Sequence, residues 1–136
     1  SKDIILRINL IIDFLDEITP YAKARIKRVK ENLLNKINGL KINNIDENRL
    51  EQELIYYLEK QDITEEQVRL KAHLDYFLQT IRSEAPNGKK LGFISQEIGR
   101  EINTIGSKSS DAEMQKIVVQ MKDELEKIKE QLLNVL

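Results

Sequence analysis

The chain has 136 residues, of which 33% are charged and 5% aromatic, and its formal net charge at pH 7 is −1. This length suits one domain, and a charged chain with only five glycines and two prolines favours long solvated helices over a β sandwich. The absence of cysteine excludes disulfides, thiolate metal sites and a cysteine nucleophile. No apolar run approaches the roughly 20 residues that span a membrane, so we expect a soluble, cytoplasmic protein without membrane contact.

The first 40 residues predict one long amphipathic helix, because apolar residues recur at three- and four-residue steps. Pro20 lacks an amide hydrogen, so a kink or break is expected near residues 16–19, with Thr19 as a candidate N-cap for the second part. The run KARIKRVK at 23–30 then carries five cations. These cations form either a solvated helix face or a stripe that contacts phosphate groups.

A second helix is predicted over residues 46–60. Gly39 is typical of a left-handed helix C-terminus, and LKINNI at 40–45 is expected to be an extended connection. Asp46 is then placed to cap the helix, because its carboxylate can accept a hydrogen bond from the first turn.

The third predicted helix opens at Thr64 and runs to about Glu84. Gln67 follows Thr64 at the spacing of a capping box, in which each side chain bonds to the backbone amide of the other residue. Pro, Asn-Gly and two lysines in APNGKK at 85–90 predict a turn after this helix.

The stretch KKLGFISQEIGREINTIGSKS at 89–109 predicts a fourth helix with unusual side chains. Its apolar stripe consists of Leu91, Ile94, Ile98, Ile102 and Ile105. Glycines at 92, 99 and 106 are unfavourable inside a helix, which suggests that another backbone or a nucleic-acid strand comes close there.

The last helix, within residues 110–136, is capped by Ser109 or Ser110 and repeats apolar residues at alternating four- and three-residue steps. Such heptads indicate a coiled-coil seam, and the first helix carries a matching seam of similar length. We therefore predict an all-α domain over residues 1–136. Long coiled-coil-like helices at 1–40 and 110–136 form an antiparallel stalk, within one chain or between two copies, and carry a compact three-helix head at 46–108.

Polar residues on neighbouring helices are the candidates for chemistry. If the helices pack by their apolar stripes, Glu66 and His73 converge with Glu97 and Glu101 along one groove. Carboxylate and imidazole groups suit Mn²⁺ or Mg²⁺, which can activate water or stabilise a leaving oxygen. A single histidine beside an apolar face is more often a structural residue, and the same acids equally fit ion pairs between helices.

Several motifs resemble the YicC/YloC family of bacterial endoribonuclease-like proteins. The central one is QEIGREINTIGSKS at 96–109, which is similar to a family signature with Gln-Glu, Arg-Glu, Asn-Thr and Ser-Lys pairs. Upstream, RLEQEL at 49–54 and DITEEQVRLKAHL at 62–74 look like further parts of the pattern, and MKDELEKIKEQLLNVL at 121–136 looks like its closing helix. The resemblance covers the C-terminal two-thirds of the chain closely and residues 1–40 more loosely.

This resemblance implies a metal-dependent endoribonuclease and a ring-like homo-oligomer of six copies that encloses RNA, with no small-molecule cofactor. It also implies that the chain is the C-terminal part of a longer protein. The expected catalytic and metal-binding residues are Glu66, His73, Glu97 and Glu101, with Mn²⁺ or Mg²⁺ as the cation. Contacts to RNA phosphate are expected from Arg69, Arg100, Lys108, Lys89 and Lys90.

The sequence leaves open two mechanisms of RNA cleavage, and also two functions that involve no cleavage. RNA also permits a metal-free route, in which His73 takes the proton of a 2′-hydroxyl group and a cation stabilises the phosphorane. The alternatives to an enzyme are an RNA-binding adaptor or chaperone that does not cut, and an oligomerisation domain whose charged groove has no chemical role.

Overall fold

The computed structural model describes residues 2–40, 47–83, 88–109 and 111–135, and all of its regular structure is helical. The five helices are α1 (Lys2–Leu40), α2 (Glu47–Gln61), α3 (Thr64–Arg82), α4 (Gly88–Lys108) and α5 (Ala112–Val135). The predicted all-α class is therefore confirmed. Within the described ranges, no helix is both long and apolar enough to cross a membrane.

The two terminal helices pair antiparallel within one chain, as three polar contacts along their length show. Arg7 of α1 donates from Nη1 to Oε2 of Glu124 over 2.7 Å. Gln131 donates from Nε2 to Asp3 near one end of the pair, and Arg28 lies 3.6 Å from Asp111 near the other. Supercoiling of this pair stays a prediction.

The apolar stripes of four helices meet in a single core. Helix α3 contributes buried leucines and Phe77, and α4 contributes the predicted stripe, of which only Ile94 is partly exposed. From the terminal helices the buried residues are Ile4, Ile8, Ile11, Leu15, Ile18, Ala22, Met114, Ile117, Val118, Met121, Leu125, Ile128 and Leu132. Helices α3 and α4 thus share the core of the terminal pair and lie alongside it.

Two of the three glycines in α4 mark a close approach to α5. A Cβ atom at Gly99 would lie 3.2 Å from a methyl carbon of Leu125, and one at Gly106 would lie 3.1 Å from a methyl carbon of Val118. At Gly92 a Cβ atom would meet nothing within 4 Å. At Gly99 and Gly106 the close neighbours are therefore side chains of α5, and the approach of another backbone or a nucleic-acid strand stays a prediction.

The break expected before Pro20 is wrong, because α1 continues through the proline. Thr19 is an interior residue of α1 whose Oγ1 donates to the carbonyl oxygen of Leu15 over 3.2 Å, so it is not an N-cap. Ile18 and Ala22 are both buried in the core on either side of the proline. Their burial offsets the single backbone hydrogen bond that proline removes. The kink at this position stays a prediction.

Several predicted helix ends are shifted. Helix α1 includes Gly39 and ends one residue later, and α3 ends at Arg82, before Glu84. Helix α4 begins at Gly88, so the two lysines of the predicted turn at 85–90 are already helical. The connection at 40–45, apart from Leu40, and the cap at Asp46 lie outside the described residues.

Aspartates, and not the predicted hydroxyl residues, cap α3 and α5. Asp62 accepts hydrogen bonds from both the amide and the hydroxyl of Thr64, while Gln67 donates its side-chain amide to Thr19 of α1. Asp111 accepts from the amide of Glu113 over 3.0 Å. The capping box at Thr64 and the cap at Ser109 are therefore wrong, and Ser110, the other predicted cap of α5, lies outside the described residues. A carboxylate two residues upstream satisfies the exposed amide better because it also carries negative charge toward the positive end of the helix.

The cap at Asp62 makes part of the stability depend on pH. The hydrogen bonds from Thr64 lower the pKa of Asp62 below its ordinary value, and Lys108 lowers it further. A lowered carboxyl pKa stabilises the fold above the unfolded value near 4, and this stabilisation is lost as pH falls through the lower folded value. We expect Asp62→Ala to reduce the free energy of unfolding by about 1 kcal/mol at pH 7, and by less at pH 2–3. Urea denaturation at the two pH values measures this, and a difference that is independent of pH contradicts it.

The glycines of α4 give a second prediction. Alanine is favoured over glycine inside a helix by about 1 kcal/mol. Gly92→Ala should therefore raise the free energy of unfolding by up to about 1 kcal/mol. Gly106→Ala should raise the free energy of unfolding by less, or lower it. The added methyl group would press against Val118, whose β-branched side chain has little rotamer freedom. Thermal denaturation of both variants makes the comparison, and an equal gain at the two sites would show that the close approach is unimportant.

Candidate functional site

A network of charged side chains joins α3 to α4 at the edge of the core. Arg69 of α3 donates from Nε to Oε1 of Glu101 over 3.0 Å, and its Nη2 lies 3.6 Å from Oε1 of Glu66. Lys108 of α4 donates from Nζ to the same oxygen of Glu66 over 2.8 Å and to the backbone oxygen of Asp62 over 3.2 Å. We call Glu66, Arg69, Glu101 and Lys108 the α3–α4 charge network.

The antiparallel packing of α3 and α4 explains why these four residues meet. Glu66 and Arg69 are three residues apart on one face of α3, and Glu101 and Lys108 are seven apart on one face of α4. Because both faces adjoin the apolar stripes, packing those stripes together brings the charged side chains into contact. The network is thus a consequence of the helical register.

Both carboxylates of the network are buried, Glu66 at 4% and Glu101 at 6% exposure. A buried carboxylate needs a cation and hydrogen bonds to offset its lost hydration. Arg69 and Lys108 provide the charge, and the hydrogen bond with Glu101 raises the pKa of Arg69 above its ordinary value. Oε2 of Glu66 is buried and accepts no hydrogen bond from the described residues.

The four residues predicted to bind a metal are not gathered into one cluster. Glu66 and Glu101 converge on Arg69, whereas Glu97 contacts Arg100 at 3.9 Å on the exposed side of α4. Among the residues that the structure describes, no group of three or more carboxylate or imidazole side chains is arranged to hold a metal ion. The physical reason is that Arg69 and Lys108 lie between the acids and neutralise them.

His73 lies one turn beyond Arg69 on α3 and is half-buried. Helical spacing puts it on the same side of α3 as Glu66 and Arg69. The imidazole group therefore belongs to the face of α3 that carries the network.

The predicted phosphate-binding residues fall into two groups. Arg69 and Lys108 are bound to carboxylates of the network. Arg100 and Lys89 are exposed on α4, and the exposed ammonium of Lys90 lies 4.9 Å from the centre of the Tyr76 ring. The second group is more exposed to solvent than the first.

Sequence reasoning missed the role of Arg25, which belongs to the basic run at 23–30. Arg25 is buried and donates from Nη1 to the backbone oxygen of Lys108 over 2.8 Å, and from Nη2 to the side chain of Gln61. Burial lowers the pKa of Arg25, and the charge of Asp111 partly offsets this effect. The signal was present, because position 25 continues the buried stripe three residues after Ala22.

A groove of about 830 Å³ lies between α1 and the beginning of α3. The three lysines at positions 23, 27 and 30 line it from α1, and Lys71 lines it from α3. Its apolar lining consists of Leu15, Ala22, Ile26, Ile63 and Val68. We call this feature the lysine groove.

The sequence model of the family described as "Endoribonuclease YicC-like, C-terminal" matches residues 18–136. This chain belongs to that family. The protein named "Probable endoribonuclease YicC" from Clostridioides difficile (strain 630) is 42% identical over 137 residues, which cover 99% of this chain and 47% of the relative. The protein of the same name from Haemophilus influenzae is 31% identical over 129 residues, which cover 95% of this chain and 45% of the relative.

The resemblance drawn from the sequence motifs is therefore confirmed at the level of the YicC-like family. The chain spans about half the length of these two relatives. The described residues of the domain thus hold two polar features that a YicC-like protein can use, namely the α3–α4 charge network and the lysine groove. The ring-like homo-oligomer stays a prediction.

The burial of the network predicts a contrast between two glutamates of α4. Glu101→Gln should lower the free energy of unfolding by about 1–3 kcal/mol, because it removes a buried charge that faces Arg69. Glu97→Gln makes the same chemical change one turn earlier, on an exposed side chain, and should change stability by no more than about 0.5 kcal/mol. Urea denaturation at pH 7 measures both variants, and equal effects would show that the network contributes nothing beyond surface charge.

Proposed function

We propose that this chain is the C-terminal domain of an endoribonuclease and that RNA is cut at the exposed end of the α3–α4 charge network. Membership of the YicC-like family supports an RNA substrate, since its family description and both relatives' names refer to an endoribonuclease. The activity belongs to the complete protein, because the chain spans only about half of those relatives.

The observation that carries the proposal is the burial of two carboxylates at the edge of an apolar core, where they are paired with the partly exposed cations Arg69 and Lys108. Replacing such a group by apolar residues of similar volume often leaves stability unchanged or raises it. Stability alone therefore gives no reason for Glu66, Arg69, Glu101 and Lys108 to occupy this position. A fixed guanidinium group beside an imidazole group is, in contrast, what cleavage of a phosphodiester requires.

In this proposal His73 is the catalytic residue and the network positions Arg69. His73 accepts the proton of a ribose 2′-hydroxyl group, and the resulting oxygen attacks the adjacent phosphorus. The bond from phosphorus to the 5′-oxygen breaks, and that oxygen takes up a proton from water, while His73 later returns its proton to solvent. The products are a 2′,3′-cyclic phosphate and a 5′-hydroxyl end. Arg69 and the exposed Arg100 offset negative charge on the phosphorane.

Glu66 and Glu101 act here as positioning residues, because their oxygens bond to Lys108 and Arg69. This donor set does not fit the four-residue metal site expected from the sequence, so no step of the mechanism depends on a metal ion. Dependence on Mn²⁺ or Mg²⁺ stays a prediction. The cleavage assay below tests it, because a metal-dependent enzyme would lose activity in EDTA.

The test is cleavage of a labelled single-stranded RNA by the complete protein, followed by analysis of the product ends. We expect cyclic phosphate and 5′-hydroxyl ends, and activity that survives EDTA. His73→Asn should reduce the rate by about 100-fold or more, since general base catalysis contributes at least that much. Gln79→Ala, an exposed change on the same helix, should leave the rate unchanged.

Two other outcomes of the cleavage assay would point to a different mechanism or function. Loss of cutting in EDTA with recovery in Mn²⁺, and products with 5′-phosphate ends, would show metal-dependent hydrolysis and contradict the role of His73. Salt-sensitive RNA binding with no cleavage above background would identify an RNA-binding adaptor, and the endonuclease proposal would then be wrong.

A further inference from the structure

We infer that the lysine groove binds a single-stranded segment of the RNA that the network cuts. The inference rests on the proposed function and adds a substrate class and a location for the bound strand. Three observations support the inference. The rim of the groove is positively charged, the floor of the groove is apolar, and the groove lies next to the network.

The rim carries positive charge that the rest of the fold leaves uncompensated. Lys23, Lys27 and Lys30 are exposed on one face of α1, and none of them has an ion-pair partner within the parts of the chain that the structure describes. Elsewhere on the protein, Arg7, Arg69 and Lys108 are matched with carboxylates. Along the helix axis the three lysines span about 10.5 Å at a rise of about 1.5 Å per residue.

The anionic groups that line the groove do not cancel this charge. They are Asp16 and Asp62, and Asp62 is already bonded to the amide and hydroxyl of Thr64. Lys71 faces the α1 lysines from α3 and is paired with Asp75 at 2.8 Å. Three cations in a row on one wall therefore match a chain of phosphates, which carries one negative charge per nucleotide.

The floor of the groove distinguishes a single strand from a duplex. Ile26, Ile63 and Val68 present apolar surface there, and Val68 is 65% exposed. A single strand can place the faces of its bases and riboses against such a surface while its phosphates contact the rim. In a duplex the bases are stacked inside, so an apolar floor would gain nothing. Among the described residues, none that lines the groove is aromatic, and we expect little preference for base sequence.

The groove and the network share the first turns of α3. Thr64 and Gln67 face the groove, while Glu66 and Arg69 face α4. Lys108 also donates to the backbone oxygen of Asp62, which lines the end of the groove. A strand that leaves the groove over this turn reaches the Lys108–Glu66 end of the network first, and His73 lies seven residues, or about 10.5 Å, further along α3.

The test is the affinity of the complete protein for a fluorescent 12-nucleotide polyuridine RNA, measured by anisotropy from low to high salt. A gel after each titration checks that the RNA is intact. The variant with Lys23→Gln, Lys27→Gln and Lys30→Gln should reduce the dependence of log affinity on log salt by about 2, since each phosphate contact on a single strand contributes about 0.7. At about 0.1 M salt this corresponds to roughly 100-fold weaker binding.

Two control variants distinguish a specific role of the groove lysines from a general effect of the net charge of the protein. Lys2→Gln, Lys116→Gln and Lys122→Gln together remove the same charge from exposed positions outside the groove. This triple variant should bind RNA within about threefold of the wild type. Arginine at positions 23, 27 and 30 keeps the charge and should retain binding. A 12-base-pair RNA duplex should bind the wild type more weakly than the single strand does.

Three results would overturn the inference. The first is unchanged affinity in the groove variant, or equal losses in the groove and control variants. The second is a duplex that binds as tightly as the single strand. The third is loss of self-association in the groove variant, measured by sedimentation, with intact RNA affinity. That result would assign the groove to an acidic helix such as α2 of a second copy, which exposes Ile55 and Tyr56.

The cleavage assay keeps this inference distinct from the proposed function. If the wild type binds RNA through the groove but does not cut it, the endonuclease proposal fails and the groove stands. If the wild type cuts RNA and the groove variant binds and cuts as well as the wild type, the groove assignment fails and the endonuclease proposal stands.

Discussion

The C-terminal end of α4 is the point at which three helices are joined, and it depends on Lys108. The ammonium group of Lys108 bonds to Glu66 and to the backbone of Asp62 at the start of α3, while its carbonyl oxygen accepts a hydrogen bond from the buried Arg25 of α1. The carbonyl end of a helix attracts cations, and the first turn of a helix favours acids. Lys108 satisfies both preferences, because its ammonium group lies at the end of α4 and bonds to Glu66 in the first turn of α3. This contact fixes the register of α3 against α4.

That register determines where the chemistry can occur. With Lys108 beside Glu66, Arg69 meets Glu101, and His73 follows one turn further along the same side of α3. Glu66 and Glu101 are buried and paired with cations of the chain, whereas the side chain of Glu97 is 45% exposed. The acids of this contact therefore become more accessible to solvent from Glu101 toward the beginning of α4.

Helix patterns in the sequence predicted most of the fold, because apolar periodicity reflects burial directly. The stripes of α4 and α5 were identified correctly, and so was that of α1 as far as Ala22, but its predicted continuation from residue 26 onward is not buried. The antiparallel partner of α5 was also identified. Errors occurred where a local signal competed with packing. Pro20 lies between two buried residues that hold the helix together, and Asp62 and Asp111 were better caps than the hydroxyl residues beside them.

The candidate site was less predictable because side-chain pairing depends on distances that spacing does not give. Glu66 and Glu101 were correctly expected to converge, since both adjoin apolar stripes. Spacing could not show that Arg69 and Lys108 would lie between the acids, or that Arg25 would turn inward while Lys23 and Lys27 stayed outside. In each case the deciding factor is whether a cation can reach a buried acceptor, which requires the three-dimensional packing of several helices.

The uneven burial of α1 has a consequence for its dynamics. From Ile4 to Arg25 the helix contributes a residue to the interior at nearly every turn, but no side chain from residues 26–36 is fully buried. Backbone amides in a helix open by local unfolding when few tertiary contacts hold them. Protection against hydrogen exchange should therefore decline along this single 39-residue helix. The lysine groove lies across that boundary, so an occupant would bind to a rigid wall at one end and order a fraying segment at the other.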